Sequence, residues 1–304
     1  MIEARVLAGT GGQWRIQLSD GSIGVAALRG KAKREGDPKL AVGDRVDVER
    51  DETSGDLAIV AIAPRSSVLS RRNPSGARGE RIVAVNLDQV VVVFALVHPE
   101  PNVRMLDRFL VVAEANDLAA IIVVNKLDLA SLGDARATFD KYEAIGYRVH
   151  YTSTRTRMGI DALHDALHGR TSVLSGPSGV GKSSLMNTMY PGLDLRVGEI
   201  SASVNKGRHT TVGAWMYPLP DGGYVVDTPG LREVGLWGLP SASLDQCFPE
   251  VRARGGQCRF STCRHLAEPG CAVRGALESG EVDAERYASY VKLREEVEAS
   301  ERDW

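Results

Sequence analysis

Long apolar runs are missing from this chain. The longest, Val90 to Val97, spans eight residues, and a membrane-crossing helix needs about 20. Met1 to Asp20 has no basic patch followed by an apolar stretch, so it does not read as a secretory signal. A large excess of one charge sign is missing as well: 37 Lys and Arg face 39 Asp and Glu, for a net charge of −2. A globally basic nucleic-acid binder is thereby excluded, while local basic patches stay open. Aromatics make up 6% of the residues, too few for wide base-stacking surfaces. Cysteine is scarce, with four in all, confined to Cys247–Cys271. A disulfide framework for the whole fold is excluded, and a local metal site becomes possible. What is there is globular: 43% hydrophobic and 25% charged residues over 304 positions, enough for two or three domains.

Residues 1–63 read as short strands. Trp14-Arg15-Ile16-Gln17-Leu18 and Arg45-Val46-Asp47-Val48-Glu49 alternate, with turn signals at Ser19-Asp20-Gly21-Ser22 and Ser54-Gly55-Asp56. Several such strands fit a small closed barrel of the OB type. The loop from Arg29 to Pro38 holds Arg29, Lys31, Lys33 and Arg34 close together. Residues 64–81 gather five arginines against Glu80 and read as an exposed basic linker. Residues 82–239 alternate apolar runs with helical patterns: Val90–Val97, Val103–Glu114, Ala119–Val124, Ala135–Ile145, Thr171–Leu174 and Tyr224–Val226. That alternation implies a mostly parallel sheet flanked by helices, an α/β domain. Residues 240–304 hold the cysteines and a charged helical pattern from Ala284 to Glu298.

Gly176-Pro177-Ser178-Gly179-Val180-Gly181-Lys182-Ser183 matches G-x-x-x-x-G-K-[ST], follows an apolar strand and opens a helical stretch at Ser184. Backbone N–H groups of such a loop close round phosphate oxygens at a helix N-terminus. Lys182 is placed to reach the β- and γ-phosphates, and Ser183 to ligate Mg²⁺. Asn125-Lys126-Leu127-Asp128 follows the strand Ala119–Val124. An ionised Asp128 accepts two hydrogen bonds from guanine N1–H and its exocyclic amine, a pair adenine does not offer. The Lys126 stem can lie along the purine, and Asn125 can brace neighbouring loops. Tyr151-Thr152-Ser153 is the second candidate base loop, with Ser153 as the contact. Asp227-Thr228-Pro229-Gly230 would hold Mg²⁺ through water at Asp227 and face the γ-phosphate at Gly230. Gly207-Arg208-His209-Thr210-Thr211 offers Thr210 or Thr211 to the same metal. The order is unusual. In ordinary GTPases the base-reading tetrad comes after the phosphate loop, and here Asn125 precedes Gly176 by 51 residues. The elements of a GTPase are all present, circularly permuted.

Leu231 stands where many GTPases place a water-orienting Gln, and no Gln follows until Gln246. Intrinsic hydrolysis is therefore expected to be slow. His209 is the nearest candidate for orienting water, the alternative being a loop contact to solvent or RNA. Cys258-x4-Cys263-x-His265-x5-Cys271 supplies three thiolates and one imidazole, the donor set of a closed, tetrahedral, structural Zn²⁺ site. Cys247 falls outside that pattern and reads as a packed free thiol. His164 and His168 lack an accompanying H-E-x-x-H and read as a solvated face.

The element order, GPSGVGKSS and GRHTT resemble the ribosome-small-subunit-dependent GTPase family (RsgA, also called YjeQ). Two positions differ from its pattern: Val212 stands where a third threonine is common, and Thr154 follows Ser153 where Ala is usual. The resemblance covers essentially the whole chain. It implies an N-terminal OB barrel, a permuted GTPase domain and a C-terminal zinc domain with this ligand spacing. It also implies GTP hydrolysis stimulated by the small ribosomal subunit late in maturation, and points to His209 as catalytic beside Lys182. Ribosomal RNA becomes the expected target of Arg29, Lys31, Lys33 and Arg34, and the chain is expected to act as a cytoplasmic monomer without membrane contact. Rival classes are a P-loop ATPase or kinase, and a non-catalytic RNA-binding scaffold that merely holds GDP.

Overall fold

The structure is a computed structural model, and it describes residues 1–29, 39–72, 80–193, 214–227 and 239–302. Five short strands open the chain: β1 (Ile2–Thr10), β2 (Gln13–Leu18), β3 (Ile23–Leu28), β4 (Arg45–Arg50) and β5 (Leu57–Ile62). They close into a barrel of order β1-β2-β3-β5-β4, antiparallel except for β3 with β5. This is the OB arrangement. The period-2 pattern explains it: Ile16 and Leu18 of β2 and Val46 and Val48 of β4 point inward with Val6, Ala26 and Ile59, while Arg15 and Arg45 face out.

The segment read as a basic linker contains a two-stranded antiparallel ribbon, β6 (Val68–Arg72) with β7 (Glu80–Val85). Leu69 is buried in it. Arg65 is not a solvated charge either. Its Nε donates to Asp44 Oδ1 at 2.8 Å and its Nη2 to Oδ2 at 2.9 Å, and Asp44 is fully buried.

The larger sheet follows the order β10-β9-β8-β11-β13-β12. Its strands are β8 (Gln89–Ala95), β9 (Ala119–Asn125), β10 (Arg148–Tyr151), β11 (Thr171–Ser175), β12 (Trp215–Pro218) and β13 (Tyr224–Asp227). β10 runs parallel to β9 and β11 parallel to β13, while β12 is antiparallel. Every residue of β8 is buried, which is why its sequence is an unbroken Val run rather than an alternation. Between strands lie α1 (Val103–Ala115), α2 (Leu132–Ile145), α3 (Ile160–Leu167) and α4 (Lys182–Met189). Asn102 and Ser131 cap α1 and α2 by accepting from the Met105 and Asp134 N–H groups. A 3₁₀ turn at Ser241–Cys247 precedes α5 (Pro249–Gly255), α6 (Ala272–Glu278) and α7 (Ala284–Arg302). Among the described residues, no helix is long and apolar enough to cross a membrane.

Two compact units result, and the division between them falls within the central segment, residues 82–239. The first holds residues 1–90, 160–175 and 182–233; the second holds 91–159, 176–181 and 234–304. In the first, Arg5 ties the barrel to the sheet: its Nη1 donates to Thr171 Oγ1 at 3.2 Å and its guanidinium lies 4.7 Å from the Tyr224 ring centre. Tyr224 in turn donates to Gln17 Oε1 at 2.9 Å. His164 and His168 are not simply solvated. His164 Nε2 lies 3.0 Å from Asp221 Oδ2 and His168 Nε2 3.3 Å from the Asp221 carbonyl, so both hold α3 to the turn between β12 and β13.

The second unit is centred on a buried charge cluster. Arg286 of α7 is fully buried; its Nε donates to Glu250 Oε1 at 2.8 Å and its Nη1 to Asp107 Oδ1 at 2.8 Å. Tyr142 of α2 also donates to Asp107 Oδ1, at 2.8 Å. Burial alone would make Arg286 easier to deprotonate, but the two carboxylates more than offset it and push its pKa up.

Candidate nucleotide site and metal centre

The base-reading tetrad leaves the C-terminal end of β9, where ligand loops of α/β sheets gather. Asn125 is buried and works as a brace in both directions. Its Nδ2 donates to the Val180 carbonyl at 2.9 Å, and its Oδ1 accepts from Thr152 Oγ1 at 3.2 Å. The tetrad is thus bonded to the phosphate loop and to the second base loop at once. The Lys126 backbone takes the left-handed region, φ +66°, and its Nζ donates to the His98 carbonyl. Leu127 is buried, its N–H bonded to the Thr152 carbonyl at 3.1 Å. Asp128 Oδ1 accepts from Ser153 Oγ at 2.8 Å, and Arg155 stands 4.0 Å from Oδ2. Ser153 is fully buried and also accepts from the Thr156 N–H at 3.2 Å. A carboxylate has about four acceptor positions, so the Ser153 bond leaves Asp128 free to accept from a base.

The loop Gly176–Gly181 lies between β11 and α4 in the chain. Two of its glycines are dictated by close approach. A Cβ on Gly176, at φ +129°, would sit 2.1 Å from the Val93 carbonyl oxygen, and one on Gly181, at φ +97°, 2.4 Å from Asn125 Nδ2. Any side chain there would break the seat of the loop on β8 or its bond to the tetrad. Val180 is buried, while Ser178 and Gly179 at the tip are exposed. Lys182 and Ser183 open α4 and are half-buried, followed by exposed Ser184. Pro177 is half-buried. Asp227 ends β13, in register with Leu174 of β11. His209, Thr210, Thr211 and Gly230 lie outside the described residues, as do Lys31, Lys33 and Arg34. Arg29 is exposed, 3.9 Å from Asp51.

In the C-terminal segment, Cys258, Cys263, His265 and Cys271 converge, their ligand atoms all within 4.8 Å of one another. His265 Nδ1 is 3.5 Å from both Cys258 Sγ and Cys271 Sγ. Tetrahedral zinc, with Zn–S of about 2.3 Å and Zn–N of about 2.0 Å, calls for an N···S edge of about 3.5 Å. The donor set and its spacing therefore fit one zinc ion. Burial lowers the pKa of His265, favouring the neutral imidazole that a metal binds. Glu268 organises the turn. Burial would raise its pKa, but the N–H groups of Arg264, Leu266 and Ala267 donate to it and hold it at about 2. Cys247 is buried outside the cluster, its thiol pushed up to about 11 by burial and then by Glu114.

Sequence reasoning gave no role to Thr152, whose buried hydroxyl bridges to Asn125, or to Arg155 beside Asp128. Thr152 sits in a run already singled out, but a hydroxyl turned inward leaves no trace in composition.

A phosphate loop after β11, bonded to a guanine-type tetrad that comes earlier in the chain, defines a circularly permuted P-loop GTPase. Similarity to known proteins narrows the class. The model of the RsgA GTPase family matches residues 62–237. The small ribosomal subunit biogenesis GTPase RsgA of Gemmatimonas aurantiaca is 56% identical over 96% of both chains, and that of Moorella thermoacetica 38% over the full length of both. Among solved structures, YjeQ from Thermotoga maritima superposes with a TM-score of 0.81 at 33% identity, covering 97% of this chain and 98% of its own. YloQ, a circularly permuted GTPase, does so with 0.76 at 30% identity, covering 99% and 96%. The chain belongs to the RsgA GTPase family.

Proposed function

We propose that this GTPase hydrolyses GTP to GDP on the small ribosomal subunit, late in that subunit's maturation, and that the subunit stimulates the reaction. The observation that carries the nucleotide reading is the Asn125 Nδ2 bond to the Val180 carbonyl, which holds a guanine-reading loop against a phosphate loop. The subunit reading is supported by relatives named for small-subunit biogenesis over nearly the full chain. Asp128 accepts from the guanine edge, Lys126 lies along the purine and Ser153 orients Asp128. N–H groups of Gly176–Ser184 wrap the phosphates, and Lys182 neutralises charge on the β- and γ-oxygens in both ground and transition states. Mg²⁺, when bound with GTP, would supply positive charge against the phosphates. Ser183, Asp227 and Thr210 or Thr211 are its proposed holders, and Gly230 the proposed γ-phosphate contact. His209 orients the attacking water. The Cys258, Cys263, His265 and Cys271 site holds a structural zinc with no open position for water. Arg29, Lys31, Lys33 and Arg34 contact ribosomal RNA, and the chain works as a cytoplasmic monomer. Titration with GTP and ATP, followed by phosphate release with and without subunits, tests the reading; equal affinity for ATP overturns it.

Three outcomes follow for single residues. His209→Ala is expected to lower subunit-stimulated hydrolysis by about 10²- to 10⁴-fold, or about 3–5 kcal/mol of barrier, with GTP affinity nearly unchanged. Lys182→Ala is expected to damage both, because its charge acts before and during the reaction. Subunit binding with a non-hydrolysable analogue is the control, and hydrolysis by His209→Ala at the parent rate would assign the catalytic group to the ribosome. Cys263→Ser is expected to release zinc and unfold the segment after about residue 240, since binding energy at a structural zinc is folding energy. Metal analysis at full occupancy in that variant would remove Cys263 from the ligand set.

A further inference from the structure

The zinc loop carries a side chain that the fold does not use. Among the described residues, Phe260 is the one phenylalanine, tyrosine or tryptophan ring left exposed, at 44%. It sits between two zinc-site cysteines, Cys258 and Cys263, so its backbone is fixed on both sides. The Cys263 N–H donates to the Phe260 carbonyl at 3.2 Å, and the Arg259 N–H to the Gly270 carbonyl at 3.1 Å. The neighbouring cation is equally uncommitted. Arg252, Arg254, Arg264 and Arg274 each have a carboxylate within 4.0 Å. Exposed Arg259 has none among the described residues, and its guanidinium stands 5.4 Å from the centre of the Phe260 ring.

An exposed ring costs hydrophobic free energy in water, and an unpaired arginine beside it costs fold stability nothing if its partner is external. Together they present an apolar ring with a guanidinium set over it and a second face open to a ligand, on a backbone held by the zinc-site loop. That is the recognition chemistry of a single-stranded nucleic acid: a base stacks on the ring and the adjacent phosphate meets the guanidinium. An apolar protein pocket would accept the ring but has no need of an unpaired cation next to it.

We infer that Phe260 and Arg259 form a stacking site for one unpaired base of single-stranded RNA, carried on the zinc loop and separate from the basic loop at Arg29–Arg34. The inference rests on the proposed small-subunit reading for the identity of the RNA. Stacking is tolerant of base identity, so the site contributes affinity and placement rather than sequence choice.

The test compares full-length Phe260→Ala, Phe260→Leu and Phe260→Trp for affinity to small subunits, with a non-hydrolysable GTP analogue in excess and zinc content measured alongside. Stacking on a base is worth about a 5- to 150-fold change in affinity. Both Phe260→Ala and Phe260→Leu are expected to lose that much, and Phe260→Trp to keep parent affinity. Arg259→Gln is expected to reduce the slope of log affinity against log salt by about one. Subunit-free GTP hydrolysis should stay at the parent rate throughout. Parent affinity in Phe260→Leu would point to an apolar protein pocket and overturn the inference. A second reading needs no ribosome: the added tryptophan of Phe260→Trp should be quenched by a single-stranded RNA oligonucleotide beyond any change in the parent, and an unquenched signal overturns the inference. Failure of the parent itself to bind or be stimulated by small subunits would instead defeat the underlying functional reading.

Discussion

Asp128→Asn is expected to lower GTP affinity by about 10²- to 10⁴-fold and to make xanthosine triphosphate the better ligand. An ionised Asp128 offers two acceptors to guanine N1–H and the exocyclic amine; an amide offers one acceptor and one donor, which suits the carbonyl of xanthine instead. Each hydrogen bond to a charged group is worth about 1.5–3 kcal/mol, so two set the range. The site keeps its shape in the variant, because Ser153 Oγ, 2.8 Å from Asp128 Oδ1, can donate to an amide oxygen as well. Competition between GTP and xanthosine triphosphate reads the outcome. Unchanged GTP preference would remove Asp128 from the base pocket, and with it the reason for bracing Asn125 between the phosphate loop and the second base loop.

Arg286→Ala is expected to destabilise the second unit by about 3–5 kcal/mol, the cost of leaving buried carboxylates without their counter-charge. Asp107 is 1% exposed and Glu250 8%, so water cannot take over. The guanidinium also stands 4.6 Å from the Phe248 ring centre, and its removal leaves that ring face without a cation. Removing the charges together separates the two effects: Arg286→Met combined with Asp107→Asn and Glu250→Gln should recover much of the stability, since a neutral cluster carries no desolvated charge. The urea midpoint, followed by signals from the zinc segment, reads both. A cost below about 1 kcal/mol for Arg286→Ala would mean that the carboxylates reach solvent in solution.

The strands and helices of the larger sheet were legible because their signals are local. Val103–Glu114, Ala119–Val124 and Tyr224–Val226 correspond to α1, β9 and β13 to within a residue at each end, since periodicity and caps are written in the chain itself. The tetrad, the phosphate loop and the cysteine spacing were legible for the same reason. The Arg286 cluster was not. In α7 the residues turned inward include Arg286, Tyr290 and Arg294, at helical spacing but polar, so the pattern from Ala284 to Glu298 reads only as a charged helix. The carboxylates that Arg286 meets on α1 and α5 lie 179 and 36 residues away, beyond any local signal. The same limit explains Arg65, whose partner Asp44 precedes it by 21 residues and turns an apparent linker charge into a buried ion pair. It also explains the ribbon of β6 and β7, where arginines at the strand ends mask the burial of Leu69 and Ala84.

The most direct measurement is GTP hydrolysis by the full-length protein with purified small subunits, with large subunits and with no ribosome. With Leu231 after the Gly230 position and no glutamine near it, the isolated protein should turn over slowly. Small subunits alone should raise the rate, and ATP should not replace GTP. Equal rates in all three conditions, or stimulation by the large subunit to the same extent, would contradict the account.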